Sequence, residues 1–150
     1  MEQQGINIDW FIDSVEDKNW NSPWEQNYSP VFIGETCVIR SVFHKKIKTN
    51  YEIIIKPKMS FGTGHHETTQ LIIQELIKNP PMKKNVLDIG SGTGILSILS
   101  EKLGAKKVDS IDNCEFSMSS AKENFKINNC NKIDFHLGTI DIINSKTYDN

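Results

Sequence analysis

The spacing of hydrophobic residues changes along the chain and predicts two kinds of structure. Between residues 31 and 58, the runs "VFI", "CVIRSVF" and "YEIIIK" are rich in β-branched and aromatic residues and are separated by polar segments. This pattern is typical of short strands, so we predict a small antiparallel β-meander. The next segment, "TTQLIIQELIKN", has apolar residues at helical spacing and stops at "NPP", which predicts a helix.

After Pro81 the pattern alternates between strands and helices. "NVLDIG", "KKVDSID" and "KIDFHLG" have the character of short strands, while "GILSILSEKLGA" and "EFSMSSAKENFKINN" have that of helices, the first ending at Gly104. Such alternation predicts parallel strands joined by right-handed helical crossovers. The final "TYDN" resembles the beginning of a fourth strand, and an open parallel sheet does not end there. We therefore expect the chain to be part of a longer protein.

The amino-terminal segment has a different character. "NSPWEQNY" places Ser22 at a helix N-cap, Pro23 at the first helical position and Glu25 three residues after the cap. We interpret residues 1–30 as a helical linker whose tryptophans pack it onto its neighbour. The predicted organisation is a linker over 1–30, a β-meander over 31–58, and the first half of an α/β domain over 59–150.

Composition excludes several classes of function. The chain has 150 residues and a net charge of −2, so nothing in its charge requires a nucleic-acid or membrane partner. It contains no apolar run of about 18 residues and no signal-peptide pattern. Its three cysteines form no CxxC pair, which favours reduced thiols in a cytoplasmic protein over disulfides or a zinc site.

A glycine-rich turn lies between the first strand and the first helix of the α/β region. "VLDIGSGTG" contains Gly90, Gly92 and Gly94, which permit positive φ angles and close approach of a ligand to the backbone. A nucleoside triphosphate loop requires a lysine that is missing here. A dinucleotide turn requires a glycine where Ile95 stands, so that match is poor. The remaining class is the GxGxG turn that binds an adenosyl amino acid.

Two acids stand where an adenosyl ligand would need them. Asp112 ends the second strand, where a carboxylate can accept hydrogen bonds from both ribose hydroxyls. Asp88 precedes the turn and could attract the ammonium group of the ligand. With Gly90, Gly92 and Gly94, these acids predict a site for a sulfonium cofactor of the adenosylmethionine type.

The segment "MSFGTGHHETT" invites other interpretations, which its spacing disfavours. His65, His66 and Glu67 are consecutive, so they cannot converge on one metal ion from a helix or a strand, and we predict no metal site. No GxSxG motif indicates a nucleophile. We interpret the segment as a loop that leads into a helix beginning near Thr68 and Thr69. Because one helix and one strand separate this loop from the cofactor turn, the loop could form a lid over the same site.

"FGTGHHETT", followed one helix later by "VLDIGSGTGILSI", resembles the PrmA-type ribosomal protein methyltransferases. The usual loop of that family reads FGTGTHPTT, so His65 replaces a threonine and Glu67 a proline, and "PKMS" stands in place of PGLA. The upstream "EDKNWNSPWEQNYSPVFIGETCVI" is similar to the segment that joins the family's substrate domain to its catalytic domain. The resemblance covers nearly the whole chain.

The resemblance implies a fold and an activity. The fold would be a Rossmann-like class I S-adenosylmethionine-dependent methyltransferase, truncated to its first strands. The activity would be methylation of lysine and N-terminal amino groups on a large-subunit ribosomal protein, L11, with S-adenosyl-L-methionine as the cofactor. Thr69 matches a cofactor-binding threonine, Gly90 the first glycine of the turn, and Asp112 the ribose-binding acid. A further asparagine of the family's site would lie beyond "YDN", and the amino-terminal substrate domain is missing, so we expect this chain alone to be inactive.

Three hypotheses remain open from the sequence. The first is the ribosomal protein methyltransferase, with no direct nucleic-acid or membrane partner and an undetermined oligomeric state. The second is a class I methyltransferase that acts on RNA, on a glutamine side chain or on a small molecule. The third is a non-catalytic binding fragment. No general base is assigned, because His65 and His66 are equally explained as surface or capping residues.

Overall fold

The computed structural model describes residues 28–56, 63–143 and 147–149, which form two three-stranded sheets with helices packed between them. The strands are β1 (Val31–Ile33), β2 (Cys37–Ser41), β3 (Tyr51–Ile55), β4 (Asn85–Ile89), β5 (Lys107–Asp112) and β6 (Ile133–Leu137). The helices are α1 (Glu67–Lys78), α2 (Ile95–Lys102) and α3 (Glu115–Ile127), with a short 3-10 helix at Ile140–Ile143. Most of the linker predicted over 1–30, including its capped helix and tryptophans, lies outside the described residues.

The second half of the chain confirms the predicted α/β fold. Strands β4, β5 and β6 form a parallel sheet in chain order, with Val86 opposite Val108 and Val108 opposite Ile133. Helices α2 and α3 connect these strands and pack against them. Gly104, one residue beyond the C-cap of α2, has a φ of +93°, so it ends this helix as predicted.

The small sheet is confirmed in its first pair of strands and differs in the second. Strands β1 and β2 pair antiparallel, with Val31 opposite Ile39. Strand β3, however, pairs with β2 in parallel, with Tyr51 opposite Cys37, so the prediction of a purely antiparallel meander was wrong. The physical reason is that residues 42–50 do not form a hairpin turn. They return to the starting end of β2 before β3 begins.

Side chains of β2 and β3 hold this returning loop in place. Arg40 Nε lies 2.7 Å from Glu52 Oε1, and the ion pair is largely buried. The Arg40 guanidinium also donates to the carbonyl of His44 at 3.0 Å, while Glu52 accepts the backbone N–H of Ile47 at 3.1 Å. At the far end of the loop, the Thr49 hydroxyl donates to the Thr36 carbonyl at 2.8 Å. The loop thus replaces hairpin contacts with bonds to both strands.

A single hydrophobic core joins the small sheet to the helices. Ile39 and Ile53 of the small sheet are fully buried and belong to the same cluster as Ile98 and Leu99 of α2 and Phe125 of α3. Helices α2 and α3 also contact the parallel sheet. The molecule is therefore layered, with the small sheet on one side of α2 and α3 and the parallel sheet on the other.

The last described residues return to the parallel sheet without forming a strand. The backbone N–H of Asp149 donates to the Asn85 carbonyl at 3.2 Å, and the Asp149 carboxylate accepts the Asn85 N–H at 2.8 Å. The segment that we predicted as the start of a fourth strand thus lies beside the start of β4. In the described part of the chain, none of the helices is long and apolar enough to cross a membrane.

Candidate functional site

The glycine turn between β4 and α2 is bonded to the end of β5. The backbone N–H groups of Gly90 and Ser91 both donate to the Ile111 carbonyl, at 2.8 and 3.0 Å. The φ angles of Gly90, Gly92 and Gly94 are +70°, +54° and +80°, a region that residues with a Cβ rarely adopt. The turn requires glycine at all three positions, which explains the GxGxG spacing.

Gly90 and Gly94 nevertheless face different surroundings. Gly90 is exposed, and a Cβ added there would meet no atom within 4 Å. Gly94 is buried at the N-cap of α2, and a Cβ added there would overlap the ring of Phe125 in α3. Gly90 therefore leaves open space above the turn, whereas Gly94 allows α3 to pack against it. A cofactor contact at Gly94 stays a prediction, because helix packing already explains its lack of a side chain.

Asp112 lies at the carboxyl end of β5 with its side chain held by two backbone groups. Its Oδ2 accepts the N–H of Gly92 at 2.8 Å, and its Oδ1 accepts the N–H of Cys114 at 2.9 Å. The Gly138 N–H donates to the Asp112 carbonyl at 2.9 Å, which joins the start of the next loop to the same edge. An ionised carboxylate can accept about four hydrogen bonds, so about two remain available on this half-buried group.

Asp88 is directed towards the first turn of α2. Its Oδ2 accepts the hydroxyl proton of Ser97 at 2.6 Å. Burial raises the pKa of Asp88, the hydroxyl and backbone N–H of Ser97 oppose this rise, and the nearby negative charge of Asp112 adds to it. The structure thus brings Asp88 and Asp112 to one turn, but the Asp88 carboxylate is already hydrogen-bonded to Ser97 at the start of α2.

Thr69 lies in the first turn of α1 and is half-buried. The helix begins at Glu67, close to the predicted start, and its N-cap is His66, whose ring accepts the Thr68 N–H at 3.2 Å. Among the described contacts, none joins Thr69 to the glycine turn. Its cofactor-binding role stays a prediction.

The residues before α1 are fixed to the small sheet and to Tyr28. The Tyr28 hydroxyl donates to the Thr63 carbonyl at 2.8 Å, and its ring meets that of His65 edge-on at a centroid distance of 4.9 Å. A Cβ at Gly64 would overlap Ile39 of β2. His65 Nδ1 is 3.2 Å from the Thr63 hydroxyl, so both histidines have local structural partners. The lid prediction concerns a loop whose residues 57–62 lie outside the described ranges.

Sequence reasoning missed three residues that support the site: Ser97, Cys114 and Asn124. The Asn124 side chain is fully buried, and its amide donates to the carbonyl of Thr93 in the glycine turn at 3.0 Å. One signal was available, since Asn124 and the C-cap residue Asn128 stand four residues apart, next to Ala121 and Phe125 on the face of α3 that is expected to be buried. Polar residues at that spacing on a buried face must find partners.

Two further features of the described residues bear on ligand binding. Within the described ranges, no group of three or more His, Cys, Asp and Glu side chains is placed to hold a metal ion. A cavity of about 550 Å³ lies near the C-terminal ends of α2 and α3, lined among others by Lys102 and Asn129. Of the cations in its wall, Arg40 is paired with Glu52, and the others are Lys46 and Lys102.

Comparisons with known proteins agree with this geometry. The profile of the family described as "Ribosomal protein L11 methyltransferase (PrmA)" matches residues 1–149. The chain is 45% identical over 141 residues to a protein of Phocaeicola vulgatus named "Ribosomal protein L11 methyltransferase", a match that covers 93% of this chain and 50% of that protein. A protein of the same name from Bacteroides thetaiotaomicron is 47% identical over 121 residues, covering 79% and 43% of the two chains.

A solved structure gives the same result. The crystal structure of a ribosomal protein L11 methylase from Lactobacillus delbrueckii subsp. bulgaricus superposes with a TM-score of 0.70 at 28% identity, over 80% of this chain and 63% of that one. This likeness confirms the predicted class I methyltransferase fold. The chain spans about half the length of the curated relatives that it matches. The profile match over nearly every residue and these relatives show that the chain belongs to the PrmA family of ribosomal protein L11 methyltransferases.

Proposed function

We propose that the complete protein is an S-adenosylmethionine-dependent methyltransferase that modifies lysine and N-terminal amino groups of the large-subunit ribosomal protein L11. The observation that carries this proposal is Asp112, a carboxylate fixed by two backbone N–H groups beside an open glycine turn. The names of the family and of the relatives supply the substrate.

The residues present fit an adenosyl cofactor. A ribose offers two hydroxyl donors, which matches the two hydrogen bonds that Asp112 can still accept. Gly90 leaves open space above the turn. The acidic pair Asp88 and Asp112 gives this edge of the sheet a negative potential, which suits a ligand with an ammonium and a sulfonium group.

Each residue then has a proposed role in binding. Asp112 would hold the ribose, while Gly90 and Gly92 would let the cofactor approach the backbone. Asp88, in β4 beside the first turn of α2, would attract the ammonium group. Thr69 would bind the cofactor from the first turn of α1, and Gly94 would contribute through the N-terminus of α2.

The chemistry asks the protein mainly to position and desolvate the reactants. The bound cofactor supplies an electrophilic methyl group on sulfur. The target amine must be neutral, because a protonated amine has no lone pair for the new N–C bond. Transfer of the methyl group would leave the electron pair of the C–S bond on sulfur, and the amine would release its proton to water. No general base is assigned to this chain, and His66 is occupied as a helix cap.

An acceptor assay tests this function. The complete gene product would be incubated with radiolabelled S-adenosylmethionine and ribosomes from cells that lack the gene, beside the variants Asp112→Asn and Asp109→Asn. Label should enter one small protein of the large subunit, and Asp112→Asn should lose far more of it than Asp109→Asn. Label in RNA would leave the fold assignment intact and identify RNA as the substrate instead of the ribosomal protein. Absence of both label and cofactor binding would favour a non-catalytic binding role.

The structure gives little support to RNA as the substrate. Residues 40–58 contain six basic residues and Glu52 as their one acid, which is the feature of the sequence that favours RNA. Among these basic residues, Arg40 is buried and paired with Glu52. A phosphate contact from Arg40 would require this pair to break, so fewer cations are available than the sequence suggests. The cytoplasmic location, predicted from three cysteines that form no CxxC pair, is part of the same proposal.

A further inference from the structure

Helix α3 is joined to two other parts of the fold by a pair of asparagine side chains. Asn128 exchanges hydrogen bonds with Ile54 of β3, since its Oδ1 accepts the Ile54 N–H at 3.0 Å and its Nδ2 donates to the Ile54 carbonyl at 2.6 Å. Asn124, one turn earlier, accepts the N–H of Lys56 at 2.9 Å. The two amides thus bind backbone groups in and just after β3, which is an edge strand of the described sheet.

Asn124 differs from Asn128 in where its amide protons go. Asn124 Nδ2 donates to the carbonyl of Thr93 at 3.0 Å, within the glycine turn, whereas Asn128 Nδ2 donates to Ile54 and to the Asn124 carbonyl. Both the Asn124 and the Thr93 side chains are buried. One carboxamide therefore connects the end of β3 to the turn that begins α2.

The chemistry of this connection is specific to an amide. The Lys56 N–H requires an acceptor and the Thr93 carbonyl requires a donor, and a carboxamide offers both from one rigid group. A carboxylate could serve Lys56 but would place negative charge against the Thr93 oxygen. An apolar side chain would lose both of these hydrogen bonds.

The end of β3 matters to the site because the small sheet also supports the start of α1. Ile39 of β2 lies against Gly64, and Gln70 of α1 donates from its side chain to the Gly64 carbonyl at 3.3 Å. The first turn of α1, which contains Thr69 and Gln70, is therefore attached through Gly64 and Ile39 to the same sheet that Asn124 contacts. The glycine turn and the first turn of α1 are two of the segments that would contact the cofactor.

From these contacts we infer that Asn124 is a positioning residue, which sets the glycine turn at a fixed distance from the small sheet and so shapes the cofactor site. This inference rests on the proposed function for its ligand, and on the described contacts alone for its geometry. Asn128 supports the same helix without touching the turn, which makes it a matched control.

The test compares Asn124→Asp with Asn128→Asp in the complete gene product. Each variant keeps its acceptor and loses its donors, but only Asn124→Asp loses the bond to Thr93. Two quantities would be measured: hydrogen exchange of the amides in residues 90–94 without ligand, and the Kd for S-adenosylhomocysteine by calorimetry. Asn124→Ala serves as a second variant if Asn124→Asp does not fold, because it removes the amide without adding a buried charge.

We expect faster exchange in residues 90–94 and a Kd raised about tenfold or more in the Asn124 variant, the effect of losing one buried hydrogen bond. Asn128→Asp should leave the exchange in residues 90–94 and the Kd nearly unchanged, although its melting temperature should be similar to that of the Asn124 variant. Equal changes in both variants, in proportion to their loss of stability, would overturn the inference and leave the proposed function intact. A wild-type protein that binds no adenosyl ligand, with the difference in exchange still present, would overturn the proposed function alone.

Discussion

Strand β5 contains two aspartates, Asp109 and Asp112, whose surroundings are opposite. Asp109 is 3% exposed, and its partners are side chains, with Oδ1 lying 2.6 Å from His136 Nε2 and Oδ2 accepting the Tyr148 hydroxyl at 3.1 Å. Asp112 is half-buried at the end of the strand, and the described partners of its carboxylate are backbone N–H groups. The Asp109 carboxylate therefore stabilises the interior of the fold, whereas the Asp112 carboxylate lies at the edge of the sheet and can accept further hydrogen bonds.

The difference shows what a sequence pattern can and cannot separate. Both acids stand in "VDSID", and their residue type is the same. Position in the strand distinguishes them, because the carboxyl ends of parallel strands meet where ligands bind in open α/β sheets. Backbone donors then fix the direction of the Asp112 carboxylate while leaving part of its accepting capacity for a ligand. Side-chain donors bind both oxygens of Asp109, so its carboxylate has less capacity left to accept hydrogen bonds from a ligand.

The largest effect on stability is expected at the turn itself, from Gly94→Ala. A methyl group there would overlap the Phe125 ring and would sit at a φ of +80°, so strain and overpacking should together cost about 2–4 kcal/mol of unfolding free energy. Gly90→Ala meets open space and should cost only the backbone strain, about 1–2 kcal/mol.

Urea denaturation of both variants would measure these losses. The double variant Gly94→Ala with Phe125→Leu should recover part of the loss, because the smaller side chain leaves room for the methyl group. Equal losses for Gly90→Ala and Gly94→Ala would contradict the assignment of Gly94 to helix packing.

The two aspartates provide the next prediction. Asp109→Asn should cost about 1–3 kcal/mol of stability, because it weakens buried hydrogen bonds to His136 and Tyr148, and should leave cofactor affinity nearly unchanged. Asp112→Asn should lose less stability and raise the Kd for S-adenosylhomocysteine about tenfold or more. Denaturation and calorimetry on the same preparations would check both. The reverse pattern would mean that the roles of the two acids have been exchanged.

A carboxylate in the small sheet extends the comparison to pH. The hydrogen bond from Arg40 lowers the pKa of Glu52, so the stability that it contributes is present above the ordinary pKa of 4.5 and is lost as the pH falls through the lowered value. Glu52→Gln should cost about 1 kcal/mol at neutral pH. Urea midpoints of the variant and the wild type should converge in acid. A difference that persists there would show that the pair acts through packing instead of charge.

The sequence predicted the parts of this fold that depend on local pattern. The strands and helices of the parallel sheet follow from hydrophobic period, and the placement of Gly90 and Asp112 follows from the rule for strand ends. The parallel pairing of β3 could not be predicted, because it depends on the loop contacts of Arg40 and Glu52. The role of Asn124 was also missed, since its partners lie 31 and 68 residues away in the chain.

The smallest effect is expected at Asp88. Burial raises its pKa, so its contribution to stability is full below the ordinary value of 3.8 and is lost as the pH rises through the raised one. At neutral pH a neutral asparagine can still accept a hydrogen bond from Ser97 without a buried charge. Asp88→Asn should therefore stay within about 0.5 kcal/mol of the wild type at pH 7, in contrast to Asp109→Asn.

Denaturation at a pH below 3.8 and at pH 7 checks this prediction, because the stability of Asp88→Asn relative to the wild type should rise with pH. A loss of several kcal/mol at neutral pH would mean that the charge of Asp88 stabilises the start of α2, as acids at helix N-termini commonly do. Asp88 would then belong with Asp109 among the acids that hold the fold, and Asp112 alone would remain as the carboxylate for a ligand.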